Sequence, residues 1–133
     1  MITLPRRLLE EILSHARREA PKEVCGWLAG RGARILKVLP VPNAAKDPHL
    51  RFRMDPEAQL RTMHEIDDGG MEIVGTYHSH PKTPPIPSPH DRELALYPEA
   101  AHLIVSLAVP EPQVRCYRIA PEKTVEIGLL LDP

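Results

Sequence analysis

The amino-acid sequence predicts an α+β fold, in which a mixed β-sheet is flanked by helices. The 133 residues, 42% of them hydrophobic, suffice for one compact domain, residues 1–133, with a buried core. Apolar residues recur at helical spacing in two segments, and several short segments have the composition of strands. No repeat, low-complexity tract or linker separates these segments, so the helices and strands are expected to pack together.

The first predicted elements are a helix and a β-hairpin. Pro5 is placed in the first helical turn, and apolar residues then follow at helical spacing up to Ala16, before Pro21 ends the pattern. Residues 24–29 form a short apolar run that is predicted to be a strand. Residues 35–41 alternate in polarity and are predicted to be its hairpin partner.

The rest of the sequence predicts two more helices and further strands. A brief strand around Phe52 and Met54 leads into a helix that Asp55 caps, Pro56 begins and Gly69 ends. Strands are also predicted over residues 72–77, 102–109, 114–119 and 125–131, with a short helix from Asp91 through Leu96.

Composition and charge exclude several classes of function. The net charge is -1, so no overall field attracts nucleic acid or an anionic membrane. No apolar run reaches the roughly 20 residues of a membrane helix, and the first residues lack the apolar core of a signal peptide. We therefore expect a cytoplasmic protein that binds neither nucleic acid nor membrane. Cys25 and Cys116 are expected to be buried thiols and not a disulfide.

His78 and His80 lie at the end of a predicted strand and form the centre of the candidate site. Residues two apart on a strand point to the same face, so both imidazoles can bind one cation. Residues 81–90 carry five prolines and are predicted to form an ordered, extended loop that returns Asp91 to this pair. Two imidazoles and one carboxylate suit zinc and leave a fourth tetrahedral position for water, as a catalytic site requires. The sequence predicts one Zn²⁺ bound by His78, His80 and Asp91.

Glu23 and Ser88 are the predicted proton carrier and oxyanion donor. Zinc lowers the pKa of its bound water to around 7, but a base must still carry the proton to the leaving amine. Glu23 lies between a helix and a strand, beside Cys25 and Gly26, whose small size permits close approach to a site. Ser88 is placed to donate a hydrogen bond to the oxyanion. An isolated His-x-His pair also arises by chance. Ser88 and Asp91 also suit a helix N-terminus, so for these two residues the capping role and the catalytic role both stay open.

The spacing of these residues resembles the signature of the JAMM (MPN-plus) metalloproteases. That signature is a glutamate, then His-x-His, seven residues, a serine, two residues and an aspartate. The matching residues are Glu23, His78-Ser79-His80, Ser88 and Asp91. The resemblance implies zinc bound by His78, His80 and Asp91, with Glu23 as general acid/base and Ser88 as oxyanion donor. It also implies a curved mixed sheet wrapped by helices, with layering similar to that of cytidine deaminases.

The same resemblance implies a class of substrate and partner. Relatives hydrolyse the bond between the C-terminal glycine of a ubiquitin-like protein and an amine, and small bacterial members are linked to β-grasp sulfur-carrier proteins. We expect cleavage after a C-terminal Gly-Gly, with the extended tail of the carrier bound beside a strand edge and the loop 81–89. A general peptidase and a non-catalytic MPN-type scaffold are the alternatives, and a homodimer is left open.

Several other residues receive structural interpretations. Four histidines have no carboxylate at ligand spacing and are assigned no role: His15, His49, His64 and His102. His90 is interpreted as an exposed residue at a helix start. Ser79 points away from the two predicted ligands, so we expect it to make a structural hydrogen bond. Trp27 is expected to anchor the core or an interface.

Overall fold

The computed structural model describes residues 1–95 and 97–133. Within these residues the chain forms eight strands and three helices. In chain order they are β1 (Ile2–Pro5), α1 (Arg6–Glu19), β2 (Cys25–Arg31), β3 (Arg34–Val41), α2 (Pro56–Asp68), β4 (Glu72–His80), α3 (Pro89–Leu94), β5 (Ala101–Ser106), β6 (Gln113–Ala120), β7 (Lys123–Ile127) and β8 (Leu129–Asp132). None of the helices in the described ranges has both the length and the apolar character needed to cross a membrane.

The predicted mixed sheet is confirmed. All eight strands belong to one sheet, in the order β7-β6-β5-β4-β2-β3-β1-β8. β4 pairs parallel with β5, and β1 pairs parallel with both β3 and β8, whereas the other neighbours are antiparallel. β4, which carries the histidine pair, therefore lies inside the sheet with a partner on each side.

The sheet curls because its two edge strands are consecutive in the chain. β7 and β8 lie at opposite ends of the strand order, yet only Gly128 separates them. Successive Cα atoms are about 3.8 Å apart, so one intervening residue brings the two edges within about 8 Å at this point. The Gly128 carbonyl also accepts a hydrogen bond from the Ile2 amide at 3.0 Å. The single strand predicted over residues 125–131 is therefore wrong, since two strands occupy that stretch.

The N-terminal strand was not predicted from the sequence. Ile2 and Leu4 are buried, and β1 lies between β3 and β8. Its alternation covers only four residues, which is too short to distinguish a strand from a helix start. The placement of Pro5 in the first helical turn is also wrong, because Pro5 ends β1 and flanks α1 in an extended conformation.

Two further predictions concern short elements beside the candidate site. The strand expected around Phe52 and Met54 is absent from the described residues, where Met54 forms only an isolated bridge with Asn43. The helix predicted to begin at Asp91 and end at Leu96 begins two residues earlier and ends at Leu94. Leu96 itself lies outside the described residues.

α2 begins as the sequence predicts, and Trp27 ties it to the sheet. The Asp55 side chain accepts a hydrogen bond from the Ala58 amide at 2.9 Å, and Pro56 is the first helical residue. The indole Nε1 of Trp27 donates to Thr62 Oγ1 at 2.9 Å. Trp27 is therefore a core residue that joins β2 to α2.

The sheet has a separate apolar core on each face. Leu28 packs with the buried face of α1, which includes Ile12, whereas Trp27 packs with the buried face of α2. Cys25 belongs to the α2 core and Cys116 to the α1 core, and both are buried free thiols. The prediction of two thiols is confirmed, and burial raises the pKa of each to about 12.

Gly26 makes room for Tyr77 and does not open an approach to the candidate site. A Cβ at this position would overlap the Tyr77 ring and the Leu39 carbonyl. The Tyr77 ring is fully buried, and its hydroxyl pairs with His15 Nδ1 at 2.8 Å. The small residue after Cys25 is thus explained by packing on the α1 side.

Candidate metal centre

The end of β4 presents His78 and His80 on the α2 side of the sheet. Strand alternation turns Tyr77 and Ser79 toward the opposite, α1 side. Ser79 Oγ accepts a hydrogen bond from the Val24 amide at 2.9 Å, which confirms its expected structural role. His78 is 2% and His80 3% exposed, so both imidazoles are removed from bulk water.

Asp91 forms a ring of three polar atoms with these histidines. Its Oδ2 lies 3.1 Å from the Nε2 atom of His78 and 3.1 Å from that of His80. The two Nε2 atoms are 3.1 Å from each other. The ligand atoms of a tetrahedral zinc, each about 2.0–2.1 Å from the metal, lie about 3.3 Å apart. The three atoms therefore already have nearly the spacing that one such ion requires.

Glu23 is the fourth member of this cluster. One carboxylate oxygen of Glu23 and the ligand atoms of the other three residues all lie within 4.8 Å of one another, and all four residues are buried. Glu23 Oε1 has no hydrogen-bond partner among the described residues. Burial, opposed by His80 and reinforced by Asp91, raises the pKa of Glu23 to about 7. An unpaired carboxylate beside three ligand atoms fits a site that binds a cation and water.

Surrounding groups orient the imidazoles for metal binding. His80 Nδ1 lies 2.8 Å from the Pro84 carbonyl. A carbonyl only accepts hydrogen bonds, so in neutral His80 the proton is on Nδ1 and Nε2 keeps its lone pair. The His78 ring stacks on Phe52, with centroids 4.5 Å apart. Burial lowers the pKa of His78 and so favours its neutral, ligating form.

Asp91 is held in its charged form. Burial opposes ionisation, but the adjacent His78 and His80 side chains outweigh it, and the Ser88 amide donates a hydrogen bond to Oδ2. Together they hold the pKa of Asp91 well below its usual value. The cluster thus offers two imidazoles and one carboxylate, which is the donor set expected for zinc.

Ser88 is the N-cap residue of α3. Its Oγ accepts a hydrogen bond from the Asp91 amide at 3.0 Å, while Asp91 Oδ2 accepts one from the Ser88 amide at 2.9 Å. This reciprocal capping box confirms the helix-start interpretation. The bond uses Ser88 Oγ as an acceptor only, so its hydroxyl proton is free for a second partner. The oxyanion role stays a prediction.

Side chains from the sheet hold the proline loop in place. The carbonyls of residues 83–85 accept hydrogen bonds from Ser106, His80 and Tyr117, the last at 2.6 Å. Prolines have no amide proton to pair in a sheet, so these bonds from side chains to the loop carbonyls hold the loop in place. The ordered loop expected from the sequence is confirmed, and it fixes the position of α3 and Asp91.

A cavity of about 560 Å³ adjoins the cluster and is lined in part by His78 and Asp91. Most of its described wall comes from β4, α2 and the segments beside them, including Phe52, Met63 and Ile73. The loop 81–89 contributes no residue to this lining, and its predicted contact with the substrate tail stays a prediction. β4 is paired on both sides from Gly75 to His78 and has no free edge there, and the pairing of the tail with a strand edge stays a prediction.

Three residues near the cluster were not identified from the sequence: Asn43, Phe52 and His102. Asn43 and Phe52 lie in an irregular segment, where no periodicity indicates their position. His102 was assigned no role, yet it lines the cavity, and its Nδ1 lies 3.3 Å from Thr76 Oγ1. Its Nε2 is buried without a partner in the described ranges, and burial lowers its pKa to about 4. Only the alignment of β5 with β4 in three dimensions could have placed it there.

The chain is similar to several known proteins. Residues 5–120 match a family described as prokaryotic homologs of the JAB domain. The chain is 44% identical over 129 residues to a protein of Haloferax volcanii named desampylase, covering 92% of this chain and 91% of that protein. It is 36% identical over 122 residues to a Mycobacterium tuberculosis protein named CysO-cysteine peptidase, covering 90% and 83%. A solution structure from Desulfitobacterium hafniense matches with a TM-score of 0.90 and 38% identity, covering 99% of this chain and 93% of that one.

Proposed function

The chain belongs to the family of prokaryotic homologs of the JAB domain, and we propose that it is a zinc metalloprotease that cleaves after the C-terminal Gly-Gly of a ubiquitin-like sulfur carrier. The observation that carries this proposal is the buried cluster of Glu23, His78, His80 and Asp91 beside an apolar cavity. The similarity to a desampylase and to a CysO-cysteine peptidase supports this class of reaction.

His78, His80 and Asp91 would hold one zinc ion per chain. Bound zinc supplies a Lewis acid that makes water nucleophilic near neutral pH. The two histidines contribute neutral nitrogen donors and Asp91 contributes the negative charge.

Glu23 is the proposed general base and general acid. One of its carboxylate oxygens lies within 4.8 Å of the other ligand atoms, where it accepts a proton from the attacking water. It then gives that proton to the nitrogen of the leaving amine. Burial of the metal-free site raises the pKa of Glu23 toward neutrality, which favours a carboxyl group that can both accept and release a proton.

Ser88 is the proposed oxyanion donor. The capping box does not use the hydroxyl proton of Ser88, and Ser88 Oγ donates no hydrogen bond to any group of the described residues. It can therefore donate to the oxygen that becomes negatively charged when the substrate carbonyl is attacked.

Replacing Ser88 with glycine is expected to lower kcat by about 100- to 1000-fold. Glycine is tolerated as an N-cap at a cost of only a few tenths of a kcal/mol, so α3 should persist. Ser88→Thr keeps the hydroxyl and is expected to retain most of the activity. Steady-state kinetics with thermal unfolding of both variants would measure this. Equal activity in the glycine and threonine variants would show that Ser88 only caps the helix.

The shape of the site favours glycines at the scissile bond. The four cluster residues are at most 7% exposed, so a substrate carbonyl reaches them only if its own backbone approaches closely. Residues without a Cβ permit that approach, and the apolar cavity beside His78 accommodates the tail that precedes them.

The proposal is tested by incubating the zinc-loaded protein with β-grasp sulfur carriers of its own organism, each extended by a few residues beyond Gly-Gly. Product masses should show cleavage directly after the second glycine. A matched carrier with Ala-Ala in place of Gly-Gly should be cut at least tenfold more slowly. Comparable cleavage of an unrelated unfolded peptide would favour a general peptidase, and no cleavage at all would favour a scaffold.

A further inference from the structure

The Asn43 side chain lies where Glu23 meets the segment that follows β3. Asn43 Nδ2 donates to the carbonyls of Glu23 at 3.0 Å and Arg51 at 3.1 Å. Its Oδ1 accepts from the amides of Ala45 and Arg53, each at 3.0 Å. An asparagine amide has two donor protons and two acceptor lone pairs, so its full hydrogen-bonding capacity is used on the backbone.

These bonds connect two walls of the candidate site. One wall holds Phe52, whose neighbours on both sides are bonded to Asn43 and whose ring stacks on His78. The other holds Glu23, whose amide donates to the Pro48 carbonyl at 2.7 Å. Both backbone polar groups of Glu23 are therefore bonded to residues 43–48, outside the ladder of β2, which begins at Cys25.

We propose that Asn43 is a positioning residue that fixes the general base relative to the metal ligands. The inference rests on the function proposed above for Glu23. Because Glu23 Oε1 has no hydrogen-bond partner in the described part of the chain, the backbone anchor has to supply its placement. Catalysis is sensitive to that placement, since a shift of about 1 Å in a reacting group can cost about 100-fold in rate.

Asn43→Asp tests the hydrogen bonds that Asn43 donates separately from those that it accepts. Aspartate keeps acceptors for the Ala45 and Arg53 amides, but it loses both donors and turns a carboxylate oxygen toward the Glu23 carbonyl. We expect kcat to fall on the order of 10- to 100-fold, with KM within about twofold of wild type and an unchanged zinc content. Asn43→Ala removes all four contacts and is measured in parallel, so that the test stands if one variant fails to fold.

A purely structural role for Asn43 predicts different results. Ile12→Val truncates the core on the opposite face of the sheet and should lower the unfolding temperature without changing kcat, which makes it the stability control. If Asn43 acts through Glu23, adding Asn43→Asp to Glu23→Gln should cause little further loss of kcat. In the metal-free protein, amide exchange at Glu23 should be faster in Asn43→Asp than in wild type and in Ile12→Val.

The inference is overturned by wild-type kcat in a folded Asn43 variant, or by the same fold-loss from Asn43→Asp in the Glu23→Gln background as in wild type. Unchanged amide exchange at Glu23 would also contradict it. These outcomes are distinct from failure of the proposed function, which would appear as absence of Gly-Gly cleavage by the wild-type protein. The exchange measurement tests the anchor without any turnover.

Discussion

Glu23→Gln is expected to lower kcat by about 100- to 10,000-fold while the protein still binds one zinc per chain. Glutamine has almost the same shape as glutamate and can keep the backbone bonds to Asn43 and Pro48. It cannot accept the proton from the attacking water, so the step that Glu23 performs is lost. The measurements are kcat on a Gly-Gly-extended carrier and elemental analysis of the same sample.

A matched control distinguishes loss of the base from a general loss of charge. Glu10 is an exposed glutamate on α1, and Glu10→Gln should leave kcat within about twofold of wild type. A zinc-loaded Glu23→Gln protein that turned over at the wild-type rate would rule out Glu23 as the general base.

His78→Ala and His80→Ala are each expected to abolish stoichiometric zinc binding and, with it, activity. Each change removes one of the three candidate ligand atoms, which lie 3.1 Å from one another. The two atoms that remain are too few, because catalytic zinc sites need three protein ligands. Zinc bound only to the folded state also stabilises that state. A chelator should therefore lower the unfolding temperature of the wild-type protein but not that of either variant.

His64→Ala provides the histidine control, because His64 is exposed on α2 and away from the cluster. It should bind zinc and respond to the chelator as the wild type does. If His78→Ala and His80→Ala both retained one zinc per chain by elemental analysis, the ligand assignment would be wrong.

The parts of the site that the sequence predicted depend on local geometry. Alternation along one strand is enough to put His78 and His80 on one face and Ser79 on the other. Helix-capping chemistry is equally local, so the start of α3 next to Asp91 follows from Ser88 and Pro89. The spacing of these residues along the chain was therefore enough to predict most of the arrangement of the ligands.

The parts that the sequence did not predict depend on contacts between distant segments. β1 is a strand because it fits between β3 and β8, and no pattern within four residues encodes that. Phe52 and Asn43 act from an irregular segment, and His102 reaches the cavity through the register of β5 with β4. The cytoplasmic location, the single domain and the open question of a homodimer stay predictions.

The position of β1 between β3 and β8 affects how the chain can fold during synthesis. β1 is synthesised before the other strands of the sheet, but Ile2 pairs with Leu129 and Pro5 with Asp132. One side of β1 therefore stays unpaired until β8 has been synthesised, and long-range pairing of this kind is slow. An unpaired strand edge is also a template for pairing with other chains. The nascent polypeptide is thus exposed to misassembly until β8 emerges to cover β1.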